Sequence, residues 1–351
     1  MANPPCLGVI EGFYGRPWSH AARVSYAGHL SALGLDSYLY CPKSDVYLRK
    51  RWRECWPEVQ YQQMDELATT YAENKLDFGM GLSPFELYRQ YDAQSKRALK
   101  DKVRYLASVG APTLAILFDD MPGDMRDLAS RQAQIVSDVQ SWAPGLRLLI
   151  CPTYYSFDPV LEKYFGAMPE NYWEQLGHNV SAEVEIFWTG NRVCSVSISV
   201  GDVERINAEL GRRVTLWDNY PVNDGAHRSN FLYCEALHQR DPQIVDKVNG
   251  HYCNPMNQAD LSLMALAGLP KLHGRDSSGI ISYLTGVFSK ETLEQLQMDA
   301  HEFETLGLSG MGKRRCRELE LLYDGLGGEV ANEIAQWLRE EYVFDPACLT
   351  D

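Results

Sequence analysis

"TLAILFDDMPGD", residues 113–124, runs from an apolar stretch into three carboxylates that surround a Pro-Gly pair. Two backbones compete for it. On a helix, Asp120 and Asp124 would share one face four residues apart, with the D-D-x-x-x-D spacing of magnesium-diphosphate sites. Pro122 and Gly123 oppose that helix, because proline removes a backbone donor and glycine is unfavourable in a helix interior. There is no second acidic cluster of this kind, so the apolar part reads as a strand that ends at the aspartates.

The same unit recurs on both sides of it. Short strand patterns lie at "LGVI" (7–10), "SYLY" (37–40), "DFGMGL" (77–82), "TLAILF" (113–118), "LRLLIC" (146–151), "EIFW" (185–188), "VTLW" (214–217) and "GHYC" (250–253). Helical patterns separate them at 18–33, 60–74, 94–109, 126–141, 158–176 and 202–210, and "NQADLSLMALAGL" follows the eighth. Eight β-then-α units in about 270 residues predict an α/β fold, a (β/α)₈ TIM barrel, for which roughly 250 residues is typical. A doubly wound sheet would want a Gly-rich phosphate loop after its first strand, and "EGFYG" is not one.

From about residue 290 the pattern is helical only, through "SKETLEQLQMDAHEFETLG", "GKRRCRELELLYDGLG" and "GEVANEIAQWLREEY". The expected division is a barrel over 1–290 and a short helical region over 291–351. The Leu, Ile and Trp stripes of that region read as core packing, and an exposed stripe could support a homodimer.

Composition narrows the function. With 33 basic against 47 acidic residues the formal charge is −14, and no basic run is long enough to make a phosphate-binding face, so no nucleic-acid partner is expected. The start has no basic segment leading into a long apolar one, and stretches such as "LSLMALAGL" are too short to span a bilayer. Nine cysteines without C-x-x-C spacing suit reduced thiols, so a cytoplasmic protein without a membrane partner is expected.

In a barrel of this kind the C-terminal strand ends and their loops form the active-site face. Those ends supply Glu11 and Gly12; Lys43; Ser83; Asp119 and Asp120; Thr153 and Tyr155; Trp188 and Thr189; Trp217, Asp218 and Asn219; and Asn254. Polar groups and aromatics gathered on one rim suit a polyhydroxylated ligand, although any one of them could simply bond nearby backbone. Adjacent strand residues face opposite ways, but a strand end relaxes that rule. Two carboxylates could then meet one substrate, as glycosidic cleavage requires, and their mutual repulsion would help keep one protonated. Helix-capping and turn roles are the plain alternative for the same aspartates.

Other constellations are weaker. The eight histidines show no H-E-x-x-H or comparable zinc spacing, and G-x-S-x-G is absent. Cys41 and Cys151 precede prolines at strand ends, where a nucleophile or a gap-filling thiol would fit. Trp52 and Trp56 could form a sugar platform or be buried loop aromatics, and "RKRWR" (49–53) reads as solvated or paired with Glu54.

Taken together, "GVIEGFYGRPWS" (8–19), "YCPKSD" (40–45) with "RWREC" (51–55), "LFDDMPGD" (117–124), "CPTYY" (151–155), "IFWTGNRVCS" (186–195), "WDNYPVND" (217–224) and "NPMNQADLS" (254–262) resemble glycoside hydrolase family 84 over about residues 7 to 270. That family comprises β-N-acetylglucosaminidases, among them protein O-GlcNAcases and enzymes described as hyaluronidases. The resemblance implies a (β/α)₈ barrel, no metal and no organic cofactor, and a retaining mechanism in which the sugar's 2-acetamido oxygen is the nucleophile. By the same resemblance Asp119 orients and polarises the acetamido N–H, Asp120 is acid and then base, and Tyr155 bonds the reacting acetamido group. Trp217 would line its methyl pocket, the Gly12 carbonyl and Lys43 would hold hydroxyls, and Asn219, Asp224 and Asn254 would embrace the acetamido group or outer hydroxyls. The expected partner is an N-acetylglucosamine-bearing glycoprotein, glycopeptide or glycan. Hexosaminidase or hyaluronidase-like action on glycan fragments and a catalytically silent glycan-binding barrel are the alternatives. Ser44 stands where many members carry an acidic residue, which leaves open how the Lys43 loop grips the sugar.

Overall fold

The computed structural model describes residues 4–350. Eight parallel strands, β1 (Cys6–Glu11), β2 (Ser37–Tyr40), β3 (Asp77–Leu82), β4 (Thr113–Leu117), β5 (Arg147–Cys151), β6 (Glu185–Trp188), β7 (Thr215–Asp218) and β8 (Gly250–Cys253), close into a barrel as β8 pairs with β1. Almost every strand residue is buried. Strands covered on both faces need runs of apolar residues rather than alternation, and those runs are what made them readable.

The helices form the outer layer, and two patterns break where a single helix was expected. Residues 158–176 become Pro159–Phe165 and Tyr172–Asn179, because Gly166 at φ 95° stops the first helix. "NQADLSLMALAGL" becomes the short helices Ser262–Leu266 and Gly268–Leu272. Close packing sets part of this course: a Cβ on Gly268 would lie 2.5 Å from the backbone nitrogen of Leu237.

Four further helices follow, Ile280–Phe288, Lys290–Thr305, Gly307–Leu326 and Glu329–Leu338, the third kinked at Gly312 with φ 74°. Their apolar faces meet around Phe303, Tyr323 and Trp337, all buried, with the Phe303 and Trp337 rings 5.3 Å apart. The last helix is tied to the barrel through Glu333, whose carboxylate accepts the backbone N–H groups of Asp260 and Leu261. Among the described residues no helix is long and apolar enough to cross a membrane.

Asp218, expected on the rim, instead sits fully buried beside Arg240 and His251. Burial alone would raise its carboxyl, but the Arg240 guanidinium, with bonds of 2.6 and 2.8 Å, holds it well below the usual carboxylate range. Its contribution to stability is therefore present at neutral pH and is lost as pH falls below that range. Arg240→Met would leave a buried charge uncompensated, so unfolding in urea at pH 7 should register a loss of about 3–5 kcal/mol. A loss below about 1 kcal/mol would mean that the pair contributes little.

Candidate active site

The barrel's C-terminal face carries a pocket lined by Gly12, Lys43, Asp119, Asp120, Tyr155, Trp217, Asn219, Asp224 and Asn254. Every residue to which the family resemblance gave a catalytic or sugar-holding role therefore comes to one place. Six different strand ends and the loops after them deliver these groups, which only a closed barrel brings within reach of one ligand.

The aspartate pair is set by a backbone turn. Strand β4 ends at Leu117, and Asp120 adopts φ 55°, a left-handed conformation uncommon outside glycine. That kink breaks the alternation of the strand, so both carboxylates meet the pocket. Strain of this kind is of order 1–3 kcal/mol and persists only where the surroundings hold it. Here the Asp120 carbonyl accepts a bond of 3.4 Å from Arg49, itself buried between the rings of Tyr14 and Phe85.

The two carboxylates have different surroundings. Asp119 accepts from the Lys43 ammonium through Oδ2, while its Oδ1 is buried with no hydrogen-bond partner. Asp120 accepts from the phenols of Tyr14 at 2.7 Å and Tyr155 at 3.0 Å, with Lys43 3.8 Å away. Burial and then the neighbouring carboxylates push both phenols up, so they remain donors. Burial would also raise Asp120, but Lys43, Arg49 and the two phenols together draw it below its ordinary value. These neighbours work against the expectation that repulsion between the adjacent carboxylates helps keep one of them protonated: Asp120 is drawn toward its ionised form.

A polar and aromatic wall faces the aspartates. Asn219 accepts from the Trp217 indole at 3.1 Å and from the Asn254 amide at 2.9 Å, and Asn254 in turn accepts the Gly12 backbone N–H at 3.1 Å. Asp224 accepts the Tyr14 backbone N–H at 2.7 Å. Gly12 is required by packing, since a Cβ there would come within 2.3 Å of the Trp217 ring. Lys43 lies 5.6 Å from the centre of that ring, a cation over an aromatic face.

Ser44 is exposed, and the loop is pinned by its buried neighbour Asp45, which accepts from Tyr40, Trp56, Gln60 and the Tyr47 backbone. The loop that carries Lys43 is thus held through Asp45. Trp52 and Trp56 are both buried, away from the pocket lining. Cys151 lines the pocket and Cys41 lies beneath it, and burial pushes both thiols well above their usual range, away from the thiolate a nucleophile needs. Asp124 is exposed and paired with Arg89 at 2.6 Å.

Lys43 supplies positive charge beside both aspartates. A group with metal-ligand spacing among the described residues, Glu235, His238 and Glu304, lies outside the pocket, and Glu304 already accepts from Tyr220 and the Glu235 backbone.

Residues 7–279 match the family described as NAGidase, beta-N-acetylglucosaminidase. The chain belongs to that beta-N-acetylglucosaminidase family. It is 25% identical over 344 residues to the Protein O-GlcNAcase of Rattus norvegicus and equally to that of Mus musculus, covering 95% of this chain. It spans only 36% of the length of either relative. Among solved structures it resembles a mutant of the O-GlcNAc hydrolase of Thermobaculum terrenum, with TM-score 0.72 and 28% identity over 95% of this chain and 80% of that one.

Within this pocket, sequence reasoning missed Tyr14, Val193, Cys194, Val222, Cys348 and Thr350, and it missed Arg49 beneath Asp120. Tyr14 was within reach, being two residues past Gly12 in a rim loop. Arg49 was hidden because a basic run reads as solvent-facing, and only the fold shows which of its members turns inward. Cys348 and Thr350 lie far along the chain from any strand end, so no local signal marks them.

Proposed function

We propose that this chain is a retaining exo-β-N-acetylglucosaminidase of the O-GlcNAcase type, acting by neighbouring-group participation. The observation that carries the reading is the unpartnered, buried Oδ1 of Asp119 beside an Asp120 that two phenols orient. A buried acceptor without a donor is costly, and an acetamido N–H is a donor of the right kind to satisfy it. Accepting that proton's hydrogen bond makes the amide oxygen more nucleophilic, and its tether to the sugar supplies the proximity that intramolecular attack needs.

The positions of these groups support the following steps. The acetamido oxygen attacks the anomeric carbon as Asp120 protonates the leaving oxygen, giving an oxazoline and the released aglycone. Asp120, now a carboxylate, activates water to open the oxazoline with overall retention. Tyr155 bonds the acetamido group, Trp217 lines its methyl pocket, and Gly12, Lys43, Asn219, Asp224 and Asn254 hold the ring. A sugar that takes hydrogen bonds from Tyr14 and Tyr155 removes two of the influences that keep Asp120 ionised, so binding itself prepares the acid. The preferred substrate is a glycoprotein or glycopeptide bearing terminal N-acetylglucosamine. The buried thiols of Cys41, Cys151, Cys234 and Cys253 support a reducing, cytoplasmic setting. Exposed Leu321, Leu322 and Met298 support self-association through the C-terminal helices.

The test is hydrolysis of aryl β-N-acetylglucosaminides whose acetamido methyl carries zero to three fluorines. kcat should fall with each fluorine, by more than about tenfold across the series, because the nucleophile weakens. A rate insensitive to fluorine would point to an enzyme nucleophile. Sugar binding with no turnover of any member would favour a glycan-binding barrel.

A further inference from the structure

The pocket that holds the proposed catalytic groups has a free volume of only about 40 Å³. Sites for small organic ligands usually measure roughly 300–1,000 Å³, and on the same kind of measure one water needs about 10–15 Å³. A hexosamine therefore cannot enter until something leaves. Two of the lining residues, Cys348 and Thr350, belong neither to the barrel nor to its strand-end loops.

They arrive on the segment after helix Glu329–Leu338. Tyr342 is stacked on by the Arg16 guanidinium at 5.0 Å, which starts the segment across the C-terminal face of the barrel. A turn at Asp345 to Cys348 then redirects it: Asp345 accepts the Ala347 N–H through its side chain at 2.9 Å and the Cys348 N–H through its carbonyl at 3.0 Å. The Cys348 thiol lies 3.9 Å from the Asp224 carboxylate, and the Thr350 side chain bonds the Tyr155 phenol. Tyr155 is one of the two donors to Asp120.

The hold on this segment is light. Of residues 343–350 only Thr350 is buried, while Val343 is 71% and Leu349 48% exposed. Few buried apolar contacts mean a low free energy of local opening.

We propose that residues 343–350 form a self-occluding strap over the sugar pocket, seated by Cys348 on Asp224 and Thr350 on Tyr155, which must swing out before a hexosamine can bind. Its effect on hydrolysis rests on the glycosidase reading, whereas its occupancy of the pocket does not. A strap that fills the site in most molecules weakens apparent substrate affinity by the fraction of molecules that are open, and leaves the chemistry of the bound complex alone.

The full chain carrying Cys348→Glu and Thr350→Glu places new carboxylates against Asp224 and near Asp120, which expels the strap by like-charge repulsion. For an aryl β-N-acetylglucosaminide, KM should fall at least about fivefold with kcat nearly unchanged. A KM within about twofold of wild type, in protein with an unaltered melting curve, overturns the strap. Alkylation of Cys194 by iodoacetamide, followed by mass spectrometry, reads the same opening without any sugar, because Cys194 lines the covered pocket. Its labelling should accelerate in the double variant and in a variant lacking residues 344–351, and an unchanged rate in both also overturns the strap. Faster labelling with no hydrolysis by any variant would leave the strap standing and remove the glycosidase reading.

Discussion

Asp120→Asn should lower kcat about 10²- to 10⁴-fold on a glycoside whose leaving group needs a proton, the usual range for loss of a general acid. On a dinitrophenyl glycoside, whose leaving group departs unprotonated, the first step should be nearly spared. The pH profile gives the sharper check. In the free protein Lys43, Arg49, Tyr14 and Tyr155 hold Asp120 below the ordinary carboxylate range, so it loses its proton early as pH rises. The descending limb of kcat/KM, which reports the free protein, should therefore lie at lower pH than that of kcat, which reports the complex where sugar has taken over the phenols. Both limbs should vanish in Asp120→Asn. Equal losses on good and poor leaving groups, with the limbs still present, would remove Asp120 from the acid role.

Asp119→Asn should lower kcat about 10²- to 10³-fold, comparable to removing one preorganised electrostatic group at a developing charge. The loss should appear for good and poor leaving groups alike, because the acetamido group must be polarised whatever departs. This pattern separates the two aspartates, which composition and adjacency cannot do. The variant also takes a partner from Lys43, whose ammonium is kept charged by Asp119 and Asp120 against the penalty of burial. A thermal unfolding curve is therefore the necessary companion measurement. If kcat stays within about threefold of wild type in folded Asp119→Asn, the neighbouring-group mechanism loses the group on which it depends.

The eight strands were legible because a barrel strand is buried on both faces, and such burial writes itself as a short apolar run. β2, β3, β6 and β8 match their expected bounds, while the neighbours differ by about a residue, where hydrogen bonding rather than hydrophobicity sets the end. The split of residues 158–176 was not legible, since Gly166 inside an amphipathic pattern is tolerated in some helices and terminates others. Asp218 shows the limit of reading a strand end by position alone. Its carboxylate is taken by Arg240, 22 residues on, and by His251 on the adjacent strand, so it serves the barrel wall.

The sequence by itself determined the barrel, the strand ends that face its active-site rim, and the set of polar residues gathered there. These depend on local burial patterns and on the one topology that eight β/α repeats favour. Only the tertiary structure decided how the aspartates differ. The left-handed backbone at Asp120, the inward turn of Arg49 and the seating of Cys348 and Thr350 in the pocket all arise from contacts between segments far apart in the chain. The charge state of a buried carboxylate is the sum of those contacts, and no window of sequence contains them.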